Sequence, residues 1–512
     1  MKGAFIVTPP FQLAPLQALA PTDRIAFQQF GAGPTVQPSA SQIHHAIQEW
    51  AARRPHTTAV EHLGAAMTYR ELDHEATMLA GTLVDLGVRP GDRVGLFLTR
   101  SIPMVVGILA ALKAGAAYVP QDIRITPAHH LRHIVRTAGI DVVLTTSEHQ
   151  SDLPPELATV VAIDTAPGRP LTAPATGEVA MVIFTSGTTG QPNGVRVTHA
   201  NLCNLLLTEP GSIGIGPGTR VAQLLNIAFD MAAWEILGTL ANGGTLVIRG
   251  DDIQQAASRV DIVIATPSVL AGLDPDACRD VHTVAVAGER CPAALAETWS
   301  RRAAFHNACG PTEVTIVNTM CRHRPGQTPN IGRPVPNTTV YVLDDQLRPC
   351  PIGEVGEMWA GGACVTAGYL GNEALTAQRY RPDPFLGDGH IMFRTRDLGR
   401  WTSDGHLEHR GRTDDQVKVG GFRVELDAVT FALEQSQGCV RASTVLHDGR
   451  LVGFVSPATV SPELARRATE LLLPYYCVPT LVIPVDRLPV TDRGKVDRRA
   501  LLSALDTAET VA

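Results

Sequence analysis

The residues best suited to chemistry in this sequence lie in one loop, residues 184–195, with the sequence FTSGTTGQPNGV. Its glycines free the backbone so that successive N–H groups can point toward one anion, and its hydroxyl side chains add further donors. This combination predicts a phosphate-binding loop, although a flexible surface loop can have the same composition. No lysine follows the glycines in the pattern of an ordinary P-loop nucleotidase, so that class is disfavoured. The expected phosphate-binding residues are Thr185, Ser186, Gly187, Thr188, Thr189 and Gly190.

Such a loop needs a rigid scaffold, and short apolar runs rich in β-branched residues predict one over about the first 400 residues. These runs alternate with segments of helical periodicity, which predicts an α/β sheet architecture. The predicted strands lie at 94–98, 142–145, 160–163, 182–185, 245–248, 262–264 and 283–286, and the predicted helices at 69–86, 232–240 and 292–302.

The pattern changes toward both ends of the chain. After about residue 335, short strands and glycine-rich turns predict a β subdomain, and helical patterns at 426–435 and 462–472 predict a small α+β unit. Residues 1–40 are rich in proline, glutamine and alanine without clear periodicity. We therefore expect a linker-like segment at 1–40, a large domain of stacked α/β sheets plus the β subdomain at 41–413, and a small, mobile α+β domain at 414–512.

The composition excludes several classes of function. With 44% hydrophobic and 18% charged residues, the chain is ordinary for a globular protein. A net charge of −7 without a basic block disfavours nucleic acid and an anionic membrane as partners. The nine cysteines form no C-x-x-C pair and no H-E-x-x-H motif occurs, so zinc and disulfides are disfavoured and a cytoplasmic location is expected. The longest apolar stretch, 102–112, is too short to span a bilayer and predicts a buried helix.

Over roughly residues 40–503 the sequence resembles the adenylate-forming (ANL) superfamily of acyl-CoA synthetases, luciferases and adenylation domains of nonribosomal peptide synthetases. The resemblance rests on a series of motifs in the family's order. FDMAAWE at 229–235 and GKVDR at 494–498 are typical of the peptide-synthetase branch. The other motifs are TSGTTGQPNGV at 185–195, MTYRELD at 67–73, LKAGAAYVPQD at 112–122, NACGPTE at 307–313, GEVGEMWAGG at 353–362, AGYLGNEALT at 367–376, FRTRDLGRW at 393–401 and GRTDDQVKVGGFRVE at 411–425.

The resemblance implies that the chain uses ATP and Mg²⁺ to activate a carboxylic acid. Both reactants are anionic, so the site must neutralise charge and align the attack. Glu313 resembles the family's Mg²⁺ ligand, with Thr312 beside it at the phosphate. Lys495 resembles the catalytic lysine between the substrate carboxylate and the α-phosphate, where a compact ammonium group suits two meeting anions.

The resemblance also assigns the nucleoside and the hinge. Asp397 matches the residue that holds the ribose hydroxyls, with Arg412 supporting it. Cys309 and Gly310 fall at the adenine position, where Cys309 replaces the usual stacking tyrosine and predicts a modest affinity for ATP. Asp414 falls at the hinge on which the C-terminal domain swings between adenylating and thiol-transferring positions.

Three further positions depart from the family pattern. Gln191 and Asn193 stand where the phosphate loop usually carries basic residues, and Arg396 occupies the glycine position of the usual RTGDLG. Because the residues matching the metal ligand and the catalytic lysine are retained, an active enzyme is expected.

The acid itself is predicted from FDMAAWE. In amino-acid-activating members, the aspartate of this motif, here Asp230, pairs with the substrate α-ammonium group, although an aspartate here could also serve as a helix N-cap. The resemblance also implies which residues line the pocket for the side chain of the substrate. All of them are apolar, which favours an α-amino acid with a large apolar or aromatic side chain. They are Met231, Trp234, Ile264, Ala285, Ala287, Ala308, Ile316 and Val317.

The implied acceptor is the phosphopantetheine thiol of a carrier protein, in trans or within a larger synthetase of the kind that makes peptide antibiotics. Some relatives also need a small MbtH-like partner protein. An acyl- or aryl-CoA ligase on the same fold is the nearest alternative, and Asp230 opposes it. A non-catalytic nucleotide-binding regulatory protein is the alternative from another class, which Glu313 and Lys495 oppose.

Overall fold

The computed structural model describes residues 11–157, 159–171, 176–187, 191–490 and 496–511. They form two compact units. The first comprises the described residues up to Ile123, Val135–Phe184 and Gly194–Thr413. The second comprises Arg124–Ile134 and the described residues of Thr185–Asn193 and Asp414–Ala512.

The described residues contain helices and strands in alternation. The α-helices are α1 (Pro21–Phe30), α2 (Ile43–Arg53), α3 (Tyr69–Asp85), α4 (Ile102–Lys113), α5 (Ala128–Ala138), α6 (His199–Leu206), α7 (Met231–Ala241), α8 (Ile253–Ala257), α9 (Pro267–Ala271), α10 (Ala293–Ser300), α11 (Glu373–Arg379), α12 (Leu426–Glu434), α13 (Pro462–Leu472) and α14 (Arg498–Val511). The strands are β1 (Thr58–His62), β2 (Ala65–Thr68), β3 (Arg93–Phe97), β4 (Ala117–Gln121), β5 (Val142–Thr145), β6 (Thr159–Ala162), β7 (Val179–Thr185), β8 (Asn193–Thr198), β9 (Arg220–Gln223), β10 (Thr245–Ile248), β11 (Ile262–Ala265), β12 (Thr283–Val286), β13 (Ala304–Cys309), β14 (Thr319–His323), β15 (Arg333–Pro334), β16 (Thr338–Leu343), β17 (Gly356–Gly362), β18 (Tyr380–Pro382), β19 (Ile391–Trp401), β20 (Leu407–Arg412), β21 (Gln416–Val419), β22 (Phe422–Glu425), β23 (Arg441–His447), β24 (Arg450–Ser456) and β25 (Leu481–Pro484).

A nine-stranded sheet of the first unit has the order β15-β14-β13-β12-β11-β9-β10-β1-β2. Strands β13 through β1 in this order run parallel. Both faces are covered, which explains why strands such as β11 and β12 read as continuous apolar runs. Successive side chains point to opposite faces, so Val284 and Val286 pack in one buried cluster with Trp299 of α10, whereas Ala285 packs in another with Trp234 of α7.

A six-stranded sheet, of order β6-β5-β3-β4-β7-β8, forms the second layer of the first unit. Helix α4 contacts β3 and β4 of this sheet and β1 of the nine-stranded sheet, so it lies between the two. It begins at Ser101, whose hydroxyl accepts a hydrogen bond from the Met104 N–H at 3.2 Å, and its residues from Met104 onward are buried. The predicted buried helix at 102–112 is therefore confirmed.

A five-stranded antiparallel sheet of β16, β17, β18, β19 and β20 completes the first unit. Part of the segment predicted to be linker-like packs against it. That segment contains α1 and buries Phe11 and Phe27 against Tyr341 of β16 and against Phe385. The irregular spacing of its aromatic residues produces no periodic pattern, which is why the sequence gives no sign of this packing.

The second unit is a small α+β structure. Strands β21 and β22 form a hairpin, and β23, β24 and β25 form a three-stranded sheet against which α12 packs. The hairpin turns at Gly420 and Gly421, where φ is +55° and +86°, so both positions favour glycine. Gly420 thus meets a local backbone requirement.

The predicted α/β class and most predicted elements are confirmed. Strands predicted at 142–145, 245–248 and 283–286 have those bounds, and the helix predicted at 69–86 spans Tyr69–Asp85. No helix within the described stretches is both long and apolar enough to cross a membrane.

Candidate functional site

Glu313 lies in a single 3₁₀ turn, Thr312–Val314, just after β13. Its side chain is fully enclosed, and its Oε1 accepts a hydrogen bond from the Tyr369 hydroxyl at 2.6 Å. Its main-chain carbonyl accepts two more bonds, from the N–H and the hydroxyl of Thr366, both at 3.1 Å. The carboxylate is therefore held by a chain segment more than fifty residues away.

The backbone around this turn is tightly constrained. A Cβ on Gly310 would lie 2.6 Å from the Val317 Cα, so only glycine fits there. Thr315 and Ile316 both have positive φ, +60° and +68°, which is unfavourable for β-branched residues. The Thr315 hydroxyl donates to the Cys364 carbonyl at 2.7 Å and helps to hold this conformation.

Asp397 lies on β19 opposite Arg412 of β20 and is almost fully buried. Burial alone would raise its pKa, but the hydrogen bond with His409 at 3.2 Å and the charge of Arg412 at 2.5 Å outweigh that effect and lower the pKa. An ionised carboxylate with these partners can accept hydrogen bonds from a pair of hydroxyl groups. The preceding residue, Arg396, has a φ of +62°, which accounts for the glycine usual at this position in the family.

The eight residues predicted to form the side-chain pocket belong to one buried apolar cluster. Three of the eight lie on neighbouring parallel strands, with Ile264 of β11 directly beside Ala285 of β12. Ala308 lies on the next strand, β13. Trp234 comes from α7, and its indole N–H donates to the Gly211 carbonyl at 2.7 Å. All eight therefore lie in the same core, and two of them, Ile316 and Val317, follow Glu313 closely in the chain.

Asp230 immediately precedes α7 and is half-buried. Its side chain makes no hydrogen bond that caps the helix, so the interpretation of Asp230 as an N-cap is not supported. Its charge acts on Tyr118, whose pKa is raised by burial and, secondarily, by Asp230. The charge of Asp230 is therefore felt at Tyr118, a residue of the same buried apolar cluster as Met231 and Trp234.

Helix α7 is anchored by a second carboxylate of the same motif, Glu235, which is fully buried. It accepts hydrogen bonds from the N–H groups of Leu224 at 2.8 Å and Leu225 at 3.2 Å, and from the Gln223 amide at 3.0 Å. These bonds tie the helix to the end of β9. Glu235 thereby fixes where the first turn of α7, and so Asp230, is placed.

Glu235 also predicts a pH dependence of stability. Burial raises its pKa from 4.5 to about 8, against the hydrogen bonds and the charge of Arg100. Between these values the unfolded carboxyl is ionised while the folded one keeps its proton, so the free energy of unfolding falls as pH rises. Glu235→Gln is expected to reduce the slope of the free energy of unfolding against pH by up to about 1.4 kcal/mol per pH unit. The measurement is the denaturant midpoint of unfolding at several values between about pH 5 and pH 8.

Glu61→Gln provides the control for this experiment. The hydrogen bond from Arg220 lowers the pKa of Glu61, so its titration lies below the window and the slope should match that of the wild type. If the free energy of unfolding falls equally steeply with pH in the wild type and in Glu235→Gln, the raised pKa of Glu235 is contradicted.

The loop predicted to bind phosphate begins at the end of β7. The Thr185 hydroxyl donates to the Asn193 carbonyl at 3.4 Å, and the Ser186 hydroxyl donates to the Arg423 carbonyl at 3.1 Å. A Cβ on Gly187 would lie 2.3 Å from the Gln191 carbonyl oxygen, so the close approach requires glycine. The predicted site residues Thr188, Thr189, Gly190 and Lys495 lie outside the described residues.

The donor chemistry fits the cofactors that the resemblance implies. Within the described stretches no three His, Cys, Asp or Glu side chains cluster around a possible metal position. A Mg²⁺ ion at Glu313 would thus take its remaining ligands from water and phosphate oxygens, as this ion commonly does. Because Glu313 is enclosed, neighbouring side chains must shift before the ion can bind.

Sequence reasoning missed three residues of this arrangement: Tyr369, Thr366 and His409. Tyr369 lies in AGYLGNEALT, one of the motifs that carry the resemblance, but nothing in the motif indicates a bond to Glu313. His409 contacts Asp397 through strand pairing, which local spacing does not reveal.

Residues 47–370 match the family described as AMP-binding enzyme. The chain is 47% identical over 498 residues to adenylate-forming reductase 03009 of Coprinopsis cinerea, an alignment covering 95% of this chain and 49% of the reductase. It is 37% identical over 524 residues to an isonitrile lipopeptide synthase of Mycobacterium tuberculosis, covering 97% of this chain and 21% of the synthase. The chain therefore spans about half the length of the first relative and less of the second.

The fold is similar to that of holo-PA1221, an NRPS protein containing adenylation and PCP domains bound to a vinylsulfonamide inhibitor. The TM-score is 0.82 at 26% identity, covering 90% of this chain and 84% of the other.

Proposed function

Because this chain belongs to the AMP-binding enzyme family, we propose that it activates an α-amino acid as its aminoacyl-adenylate. In this reaction the acid carboxylate attacks the α-phosphorus of ATP, and pyrophosphate leaves with the electron pair of the broken P–O bond. The single observation that carries the proposal is Asp230, a carboxylate at the start of α7 that does not cap the helix and adjoins a buried apolar cluster. A carboxylate in that position suits a substrate ammonium group.

The activating residues have distinct roles in this proposal. Mg²⁺ at Glu313 supplies positive charge to the phosphates when bound. Asp397, held ionised by Arg412, accepts the ribose hydroxyls. The backbone and hydroxyl groups of residues 185–190 bind phosphate oxygens, and Lys495 stabilises the negative charge that develops where the two reactants meet.

The acceptor we propose is the phosphopantetheine thiol of a carrier protein. Support comes from the similarity to a protein that contains adenylation and PCP domains. Asp414, the residue at which the chain enters the long C-terminal stretch of the second unit, is the proposed hinge between adenylation and transfer.

A second candidate fate for the activated acid is reduction. It is favoured by the 47% identity to an adenylate-forming reductase, about half of which this chain covers. Both fates begin with the same adenylate. Comparing a carrier thiol with coenzyme A as the acceptor separates thiol transfer from the reaction of an acyl-CoA ligase. Identifying the product separates transfer to a carrier from reduction of the acyl group.

Acid-dependent exchange of labelled pyrophosphate into ATP tests the proposal. We expect exchange with one or a few large α-amino acids and little with their des-amino analogues. A phosphopantetheinylated carrier should then accept the acyl group faster than coenzyme A does. A folded, Mg²⁺-supplied protein that exchanges with no acid would contradict the proposal, as would equal exchange with the des-amino acids.

Asp397 gives a further prediction. Asp397→Asn removes the negative charge that suits the ribose hydroxyls, so the KM for ATP should rise by about tenfold, with a smaller change in kcat. The measurement is exchange at varied ATP concentration. Asp344→Asn, which changes a half-buried turn carboxylate paired with Arg348, is the control and should leave KM unchanged. A change in kcat alone would argue against a ribose contact.

A further inference from the structure

The eight residues that we propose as the acid pocket lie in one buried apolar cluster, and His306 of β13 is a polar residue beside them. On a strand, residues two apart face the same side, so His306 shares a face with the pocket residue Ala308. The neighbouring residue Phe305 packs in the cluster on the opposite face of the sheet. His306 therefore points to the side of the sheet on which the proposed pocket lies.

The strand register places His306 directly beside the predicted lining residues. Ile264 pairs with Ala285, and Ala285 pairs with His306, so the three form one row across β11, β12 and β13. Adjacent strands are about 4.8 Å apart, which is within side-chain contact distance. Because an imidazole extends further from the sheet than a methyl group, His306 rises above the floor formed by Ala285 and Ala308.

The ring nitrogens of His306 are incompletely satisfied. Its Nδ1 is enclosed and has no hydrogen-bond partner. Burial, followed by the nearby charge of Arg322, lowers its pKa, and Glu209 acts in the opposite direction. The ring is therefore neutral near pH 7 and can offer one donor and one acceptor.

The loop that carries Glu209 also touches the opposite wall of the pocket. The Gly211 carbonyl accepts the hydrogen bond from Trp234, and Ser212 donates to Glu209 at 2.6 Å. One short loop thus contacts Trp234 and carries Glu209, whose charge acts on His306.

We infer that His306 is a specificity-determining residue, and that the preferred amino acid carries a hydrogen-bonding group, such as a hydroxyl or carboxamide, at the far end of its side chain. This inference rests on the proposed function and narrows its substrate class. A buried ring nitrogen without a partner is costly, so a ligand that supplies the missing bond is selected over an apolar ligand of the same shape. Rotation of the ring about its χ2 bond exchanges the edge that faces the ligand.

The test compares shape-matched acids, tyrosine with phenylalanine and asparagine with leucine, by pyrophosphate exchange. In the wild type the polar member of at least one pair should have the higher kcat/KM, by about tenfold, the size expected for one hydrogen bond. His306→Leu should abolish or reverse that preference. His306→Asn, which keeps a polar atom near the position of Nδ1, should retain part of it.

His323→Leu is the matched control. His323 is a buried histidine of the same sheet whose Nε2 also lacks a partner, but it pairs with Phe305 and contacts that ring on the opposite face. This variant should keep the wild-type preference. Thermal denaturation of each variant checks folding, and the wild-type ratio is informative even if His306→Leu does not fold.

The outcomes separate the two proposals. Exchange that favours the apolar member of both pairs, or a preference unchanged in His306→Leu, overturns the assignment of His306 and leaves the proposed function standing. Exchange with no acid at all overturns the proposed function and the assignment of His306 with it.

Discussion

Glu313→Gln is expected to lower acid-dependent pyrophosphate exchange by at least about 1,000-fold while the protein stays folded. The amide has nearly the same shape as the carboxylate but lacks the negative charge that a hard divalent cation requires. Mg²⁺ that is no longer held beside the phosphates cannot offset the repulsion between the acid and ATP. The measurement is exchange at saturating acid and ATP over a range of Mg²⁺ concentrations.

Two comparison variants isolate the charge of Glu313. Tyr369→Phe removes the 2.6 Å hydrogen bond but keeps the carboxylate, so its loss should be about tenfold or less. Glu357→Gln breaks an ion pair with Arg394 on the β17–β19 ladder and should leave exchange unchanged. Wild-type exchange by Glu313→Gln at low Mg²⁺ concentration would show that the carboxylate is structural only.

Asp230→Asn should reduce exchange with the preferred amino acid by about 100-fold and exchange with its des-amino analogue by only a few fold. When the variant binds the amino acid, the ammonium group of the substrate is buried without a counter-charge. The des-amino acid has no ammonium group, so its binding loses little. The measurement is the ratio of kcat/KM for the two acids, which cancels general losses of activity.

Asp122→Asn is the matched variant for Asp230. Asp122 is more deeply buried than Asp230, and its carboxylate accepts a hydrogen bond from the Asn226 amide at 2.8 Å. Its replacement should affect both acids alike. Equal losses for the two acids in Asp230→Asn would remove the ammonium assignment.

The fold was accessible from the sequence where local patterns are strong. Strand β10 and strand β12 are short apolar runs because the sheet is covered on both faces, so hydrophobicity alone marks their bounds. The packing of α1 was not accessible, because its buried residue Phe27 packs against Tyr341 and Phe385, which are distant in the sequence. Sheet order also had to come from the structure, since it depends on contacts between distant segments.

The candidate site was accessible only as far as motifs extend. Motifs identified Glu313 and Asp397, and their roles remain predictions for the experiments above. The partners of these carboxylates were missed because Tyr369 lies 56 residues from Glu313 and His409 lies 12 residues from Asp397 across a strand pair. The position of His306 beside Ala285 likewise needed the register between β12 and β13.

The two successive residues with positive φ, Thr315 and Ile316, have a consequence for the evolution of substrate range. The short, strained segment that contains them links Glu313 to Ile316 and Val317, two of the predicted pocket residues. A replacement at Ile316 therefore changes the backbone next to Glu313, the predicted metal ligand, whereas one at Ala285, within a regular strand, does not. Substitutions that alter substrate selectivity should therefore be found more often at Ala285 than at Ile316. A change at Ala285 leaves the backbone beside Glu313 intact, and with it the activation step that every acid substrate shares.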